Sequence, residues 1–361
     1  MKLSYSGKAI TGMLTVVPAH ERKFVDEMAN FNFSPKRSIK LAEVMGYDRH
    51  RIVAGAVTSS DLAVAGLEHL FAGGKLQREE IDALVVVTQT PDHLMPGTSK
   101  VVHGRLGLHH DVFCIDLNQG CAGFIIGIMQ AFMLLDQPTI RKVVLVNVDV
   151  MSRKVSPRDR NSYPLIGDAA SVTILECDAG APAIEARLKM DGARREALMI
   201  PAGGLRRPSD ATTAEMVEDE EGNFRALDNL KMDGSAVFNF VLTEVPELIR
   251  GLLAETNTDV ADIDSFLFHQ PNRFMLQKLA DKLGVPYDRM PSNVVEHFGN
   301  SSGVTIPVAT TSNLSARLVE ERLRVCLAGF GAGLTWGAML LELGPLNFCE
   351  MIEYQEDNQN G

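Results

Sequence analysis

The stretch Asp116-Leu-Asn-Gln-Gly-Cys-Ala-Gly-Phe-Ile-Ile-Gly-Ile-Met-Gln-Ala-Phe132 decides how the rest of the chain is read. A polar, glycine-bounded turn gives way to an almost unbroken apolar run, which predicts a helix buried inside the domain rather than lying on its surface. Cys121 stands where that helix should begin. The amides of a first helical turn lack partners and carry partial positive charge, so the position favours thiolate over thiol and makes Cys121 a candidate nucleophile. An inert buried cysteine fits the same stretch, because a free cysteine behaves as a small hydrophobe. The choice therefore rests on what surrounds it.

Upstream, Ala9 to Val17 reads as a strand stopped by Pro18, and Thr58-Ser-Ser-Asp61 as a helix start whose apolar positions run to a Gly73-Gly74 stop. Ile81 to Thr88 is an apolar run of the kind found in strands covered on both faces; a helix over 98–106 follows, then the strand Val112 to Ile115. Downstream lies another such strand, Val143 to Val148. Strands alternating with helices imply a layered α/β fold. The second half repeats the order at one fixed offset: Ile81–Thr88 corresponds to Ile263–Gln270 and Val143–Asn147 to Val325–Gly329. The same offset carries the Cys121 turn onto Phe298-Gly-Asn-Ser-Ser-Gly-Val-Thr-Ile306. Two duplicated halves follow, 1–180 and 181–361, with a seam near Cys177–Pro182 and a long surface excursion at 203–235. The polar run Gln355–Gly361 reads as a frayed tail.

Composition narrows the function classes. Lys plus Arg number 35 against 46 Asp plus Glu, a net charge of −11 that speaks against nucleic-acid binding. No apolar span reaches membrane length, the N-terminus lacks a signal-peptide core, and five cysteines without paired spacing point to a reduced, cytoplasmic protein with neither metal site nor cofactor. A nucleophilic cysteine needs a hydrogen-bonding partner and donors for an oxyanion. Three candidates supply them: His269 at the end of the strand Phe266–Phe268, Asn300 in the turn equivalent to the Cys121 turn, and the glycine-rich run Gly329–Gly337, whose amides at Phe330, Gly331 and Ala332 can line a pocket.

Gly120-Cys-Ala-Gly-Phe124, Phe268-His-Gln-Pro-Asn272, His297-Phe-Gly-Asn-Ser-Ser302 and Gly329-Phe-Gly-Ala-Gly-Leu-Thr-Trp-Gly337, in that order, resemble the signatures of beta-ketoacyl-acyl-carrier-protein synthase III-like enzymes of the thiolase superfamily. Asp159–Ala170 resembles a further family segment, and the likeness spans about Ile10 to Leu343. The resemblance implies a five-layered αβαβα fold, a homodimer, and a two-stage reaction. Cys121 would accept an acyl group from acyl-CoA or an acyl-carrier protein, with the amides of Cys121 and Ala332 as oxyanion donors. His269, neutral, and Asn300 would then stabilise the enolate formed as a malonyl-acyl-carrier protein loses carbon dioxide. An acyltransferase that passes the acyl group to an O, N or S acceptor, and a non-catalytic partner subunit, are the alternatives. Asn300 rather than His297 fits the family's asparagine, and Cys326 lies too early for a thiolase's second cysteine. The family's coenzyme A clamp is missing, since the only tryptophan is Trp336. Arg49, Arg51, Arg273 and Lys278 are the candidate carrier or coenzyme A contacts, and Met95 the candidate gate on acyl length.

Overall fold

The computed structural model describes residues 1–356, so the end of the expected frayed tail, 357–361, lies outside the described residues. Two sheets carry the molecule. The first has six strands in the order Phe348–Tyr354, Lys8–Pro18, Ala169–Cys177, Lys142–Asp149, Ala83–Val87 and Phe113–Leu117. The second has five: Lys2–Tyr5, Ile184–Met190, Thr335–Leu343, Leu323–Gly331 and Ser265–Phe268. Helices Gly123–Leu134 and Thr305–Leu318 lie between the sheets. Ser59–Ala72 and Thr98–Leu106 cover the first sheet from outside, and Gly234–Glu255 with Arg273–Leu283 cover the second. Helix, sheet, helix, sheet, helix is the five-layered thiolase-like arrangement, and three buried clusters fill the gaps between layers.

The hydrophobic pattern accounts for this layering. On the Cys121 helix, Phe124, Ile125, Ile128, Met129 and Phe132 are all buried, so apolar surface faces both sheets and no polar stripe remains for water. Each large side chain so buried contributes roughly 1.5–3 kcal/mol. Close approach is possible because Gly127 has no side chain; a Cβ there would stand 2.6 Å from Leu145 Cδ1. The Ser59–Ala72 helix starts where expected, with Thr58 as its cap: the Thr58 amide donates to Asp61 Oδ2 at 2.7 Å, an arrangement worth about 1 kcal/mol.

The repeat holds at the level of register. Ala83 pairs with Val143 and Ser265 with Val325, each in a parallel ladder, so the fixed offset relates not only strands but the hydrogen-bonded partners within them. The terminal strands break the division between halves. Lys2–Tyr5 pairs antiparallel with Ile184–Met190 in the second sheet, while Phe348–Tyr354 pairs parallel with Lys8–Pro18 in the first. The excursion forms two short ribbons, Leu198–Met199 with Lys231–Met232 and Val217–Glu218 with Phe224–Arg225. Arg225 binds Asp159 at 3.0 Å and Arg158 stacks on Phe224, so this segment is pinned to the stretch that leads into Tyr163–Leu165.

Candidate active site

Cys121 directly precedes Ala122, the N-terminal boundary residue of the helix Gly123–Leu134, and is only partly exposed. The glycine-rich strand end lies flat against it. A Cβ on Gly331 would stand 2.6 Å from Cys121 Cβ, and one on Gly329 would stand 2.9 Å from Ala122 Cα, so glycine is required at both positions. The Ala332 amide and the Ser302 hydroxyl stand near enough to the sulfur to favour its charged form. The thiol is nevertheless pushed up to about 11, first by burial and then by the charge of Asp149. Against the thiolate expected from the helix terminus, desolvation and the neighbouring carboxylate favour the thiol.

His269 follows the strand Ser265–Phe268 and is buried. Burial drives its pKa down to about 3, so the ring is neutral. Its Nδ1 lies 2.7 Å from Thr305 Oγ1, which can also donate to the Ser302 carbonyl at 3.0 Å and accepts from the Gln270 amide at 3.3 Å. With the Thr305 hydroxyl turned to Ser302, Nδ1–H donates and Nε2 presents a lone pair; with it turned to Nδ1, Nε2 carries the proton. Phe330 packs edge-on against the ring, 5.5 Å between centroids. Asn300 is strapped at both backbone ends, its amide donating to Leu165 O at 2.5 Å and its carbonyl accepting from Gly167 N at 3.1 Å. Its Oδ1 takes the Ser302 amide at 3.0 Å, which fixes the carboxamide and directs Nδ2 elsewhere as a donor. Gly167 and Gly299 cross so closely that neither tolerates a Cβ, and Gly299 has φ +82°.

Other expected residues separate into those drawn into this cluster and those that are not. Phe330, Gly331 and Ala332 belong to it. Met95 does not within this chain: it stands 84% exposed beside Leu94 at 82%. Arg51 is a brace, its guanidinium held by Glu21, Glu353 and the carbonyls of Pro18 and Ala19. Arg49 pairs with Asp48 and Glu21, Arg273 with Glu296, and Lys278 with Asp281. These cations are committed to carboxylates within the chain, which weakens any call on them by an anionic carrier. His297 is exposed, which leaves Asn300 in the site. Trp336 is buried against Phe240 and Cys326 in the outer cluster of the second sheet, so neither serves the site.

Two residues without an expected role stand at the centre. Asp149, at the carboxyl end of Lys142–Asp149, is 1% exposed and accepts from the Gln89 amide at 2.7 Å and from the hydroxyls of Thr88 and Thr90 at 3.2 Å each. The Ser302 hydroxyl stands near both Asp149 and Cys121 and favours the charged form of each. A lone carboxylate closing an apolar strand is the one trace of this in the sequence.

Comparisons with known proteins place the chain in a family. Residues 115–192 match the family described as 3-oxoacyl-[acyl-carrier-protein] synthase III, and residues 253–343 match its C-terminal part. The chain is 30% identical to a provisionally named 3-oxoacyl-[acyl-carrier-protein] synthase 3 of Campylobacter jejuni, over 99% of this chain and all of that one. It is 32% identical to a beta-ketoacyl-[acyl-carrier-protein] synthase III of Streptococcus pneumoniae, over 82% of this chain and 88% of the relative. The solved structure of a 3-oxoacyl-(acyl-carrier protein) synthase from Burkholderia xenovorans superposes with a TM-score of 0.90 at 33% identity, covering 98% and 99% of the two chains. The chain therefore belongs to the 3-oxoacyl-[acyl-carrier-protein] synthase III family and is an acyl-transferring condensing enzyme.

Proposed function

We propose that Cys121 takes an acyl group from an acyl thioester and that the acyl-enzyme condenses with a malonyl thioester, malonyl-acyl-carrier protein, with loss of carbon dioxide. The observation that carries this reading is the close packing of the Gly331–Ala332 strand end on Cys121, which sets the Ala332 and Cys121 amides beside one sulfur, with the neutral His269 and the strapped Asn300 joined to the same turn. The two amides suit the oxyanion of acyl transfer. Neutral donors suit an enolate, whose charge develops only in the transition state; a protonated imidazole would instead quench the carbanion. His269 donates from Nε2 when the Thr305 hydroxyl is turned to Nδ1, and Asn300 donates from Nδ2. The halves 1–180 and 181–361 thus divide the labour, the first supplying the nucleophile and the second the enolate donors.

The acyl donor is acyl-CoA or an acyl-carrier protein. The exposed Leu94 and Met95 side chains are the kind of surface that a homodimer contact covers. A reducing cytoplasm suits the five free cysteines, of which Cys177 is exposed. No helix among the described residues is long and apolar enough to cross a membrane.

Intact-mass measurement of the protein after exposure to a series of acyl-CoA and acyl-carrier-protein donors tests the first stage. A single acyl adduct, absent in Cys121→Ser, is expected. Addition of malonyl-acyl-carrier protein should discharge the adduct and release carbon dioxide. In Asn300→Ala the adduct should form at the parent rate while discharge slows by about 10²–10³-fold, the usual loss for one oxyanion-type donor. An adduct retained in Cys121→Ser would remove Cys121 from the mechanism. Discharge without carbon dioxide would replace condensation by simple acyl transfer.

A further inference from the structure

The Asn300 carboxamide is fixed by Ser302, but its backbone is fixed by another segment, the turn 165–168. The Asn300 amide donates to Leu165 O at 2.5 Å, and the Gly167 amide donates to Asn300 O at 3.1 Å. The two turns touch along the backbone, since a Cβ on Gly299 would stand 2.8 Å from Ile166 C. Whatever holds the turn 165–168 from its other side therefore bears on where Asn300 points. At one end the Asp168 carboxylate accepts from the Val53 and Ser152 amides, each at 2.9 Å. The carbonyl between the two strapping groups, Ile166 O, goes instead to His50 Nδ1 at 2.6 Å.

His50 is the middle residue of the strand Arg49–Arg51 and is 2% exposed. A carbonyl has no proton to give, so Nδ1 donates to Ile166. Nε2 lies 3.0 Å from Glu27 Oε2, and a second proton sits between them. The other carboxylate oxygen of Glu27 accepts from the Tyr163 hydroxyl at 3.2 Å, with Arg22 at 3.5 Å, and Tyr163 packs edge-on against the His50 ring. Burial works against the Glu27 carboxylate, yet His50, Tyr163 and Arg22 together hold its pKa below the ordinary value. The next residue adds a second clasp, since the Arg51 amide donates to Phe298 O at 3.0 Å. A well-packed apolar pair is often as stable as a buried ion pair, so stability does not account for this one. Direction does: a carbonyl held by a ring that is itself held on its far side keeps one orientation.

We propose that His50, clamped by Glu27, is a positioning residue for Asn300: it fixes the Ile166 carbonyl and, through the turn 165–167, the direction in which the Asn300 carboxamide meets the enolate. The assignment rests on the reading of Asn300 as an enolate donor. His50 acts through the turn and not on the sulfur, so acyl loading on Cys121 does not call on it and condensation does. A misplacement of Asn300 Nδ2 by about 1 Å is enough to slow the second stage about 10²-fold.

The test separates the two stages. Removing His50 alone would leave the Glu27 carboxylate buried beside an empty place, so the variant combines Glu27→Gln with His50→Leu; the carboxamide oxygen still accepts from Tyr163 and no charge is stranded. Intact mass should show loading at the parent rate and discharge by malonyl-acyl-carrier protein about 10–100-fold slower. In an Asn300→Ala background the same two substitutions should change discharge by less than about twofold, because their effect has no other route. His50→Arg, whose guanidinium offers donors to both Ile166 O and Glu27, should recover discharge to within about threefold of the parent. Amide hydrogen exchange reads the strap without a substrate: in the doubly substituted protein the Gly167 and Asn300 amides should exchange at least about tenfold faster. Equal slowing of loading and discharge, a loss that adds to that of Asn300→Ala, or unchanged exchange at these two amides would overturn the positioning role. A parent protein that forms no acyl adduct, or discharges it without carbon dioxide, would instead defeat the condensation reading, while the exchange rates would still decide whether His50 holds the strap.

Discussion

The two halves meet at the site through equivalent elements that carry unequal side chains. At the offset that relates the halves, Cys121 corresponds to Gly303, Asp149 to Gly331, Ser302 to Gly120 and Thr305 to Gly123. At each of these four positions one half bears the functional group and the other a glycine. The reason is space. A Cβ on Gly331 would meet Cys121, one on Gly303 would stand 2.9 Å from the Gly120 carbonyl, and one on Gly123 would stand 2.7 Å from Val87 Cγ1. Each of these glycines is packed against a neighbour that a side chain would strike, so a symmetric frame produces an asymmetric site.

That asymmetry can be broken by restoring a side chain on the glycine side. Gly331→Ala should slow acyl loading by about 100-fold, because a methyl group at 2.6 Å from Cys121 Cβ displaces the sulfur from its donors by a fraction of an ångström to an ångström. Single-turnover mass measurement checks it, and a parent-like rate would show that glycine at position 331 is not needed to make room for Cys121.

The cost of keeping one partner buried and neutral can be read from stability. His269 stays uncharged in the fold down to about pH 3, whereas in the unfolded chain it takes a proton near pH 6.5. Stability therefore falls as pH drops below that unfolded value. Between pH 7 and 5 the parent should lose about 2 kcal/mol more than His269→Gln in denaturant titrations. Asp149, raised to about 6, contributes with the opposite sign, its buried carboxylate opposing the fold as pH rises, but it is common to both proteins and cancels. Equal pH dependence in the two would place His269 in contact with water.

A smaller effect sharpens the comparison of Thr305 with Gly123. Thr305→Val keeps the volume but removes the hydroxyl that sets the His269 tautomer, and should slow discharge of the acyl-enzyme about tenfold, the kinetic equivalent of one unmade buried hydrogen bond. Loading should be unchanged. A reduced loading rate would tie Thr305 to the nucleophile instead.

Cys121, His269 and Asn300 could be singled out because Cys121 precedes a helix start, His269 follows a strand and Asn300 lies in the turn that the offset matches to the Cys121 turn, and such ends are where a layered α/β fold displays polar groups. Asp149 ends an apolar strand too, yet its burial at the site was not legible. A carboxylate after Val148 looks like an ordinary exit to solvent until Thr88 and Thr90, sixty residues away, are folded over it. For Met95, proximity to the strand Ala83–Val87 in sequence does not say which way the loop 92–97 turns, and within this chain it turns outward. Arg51 looked free because its carboxylates, Glu21 and Glu353, come from distant segments. The strands Lys2–Tyr5 and Phe348–Tyr354 are too short to announce the sheets they join.

Those two exchanged strands have a consequence for biosynthesis. The first sheet's edge, Phe348–Tyr354, leaves the ribosome more than three hundred residues after the Lys8–Pro18 strand it pairs with. Until then the ladder along Gly12–Pro18 stays open, an unpaired edge of the kind that other chains can join. A nascent chain therefore completes its first sheet only once the Phe348–Tyr354 strand has emerged.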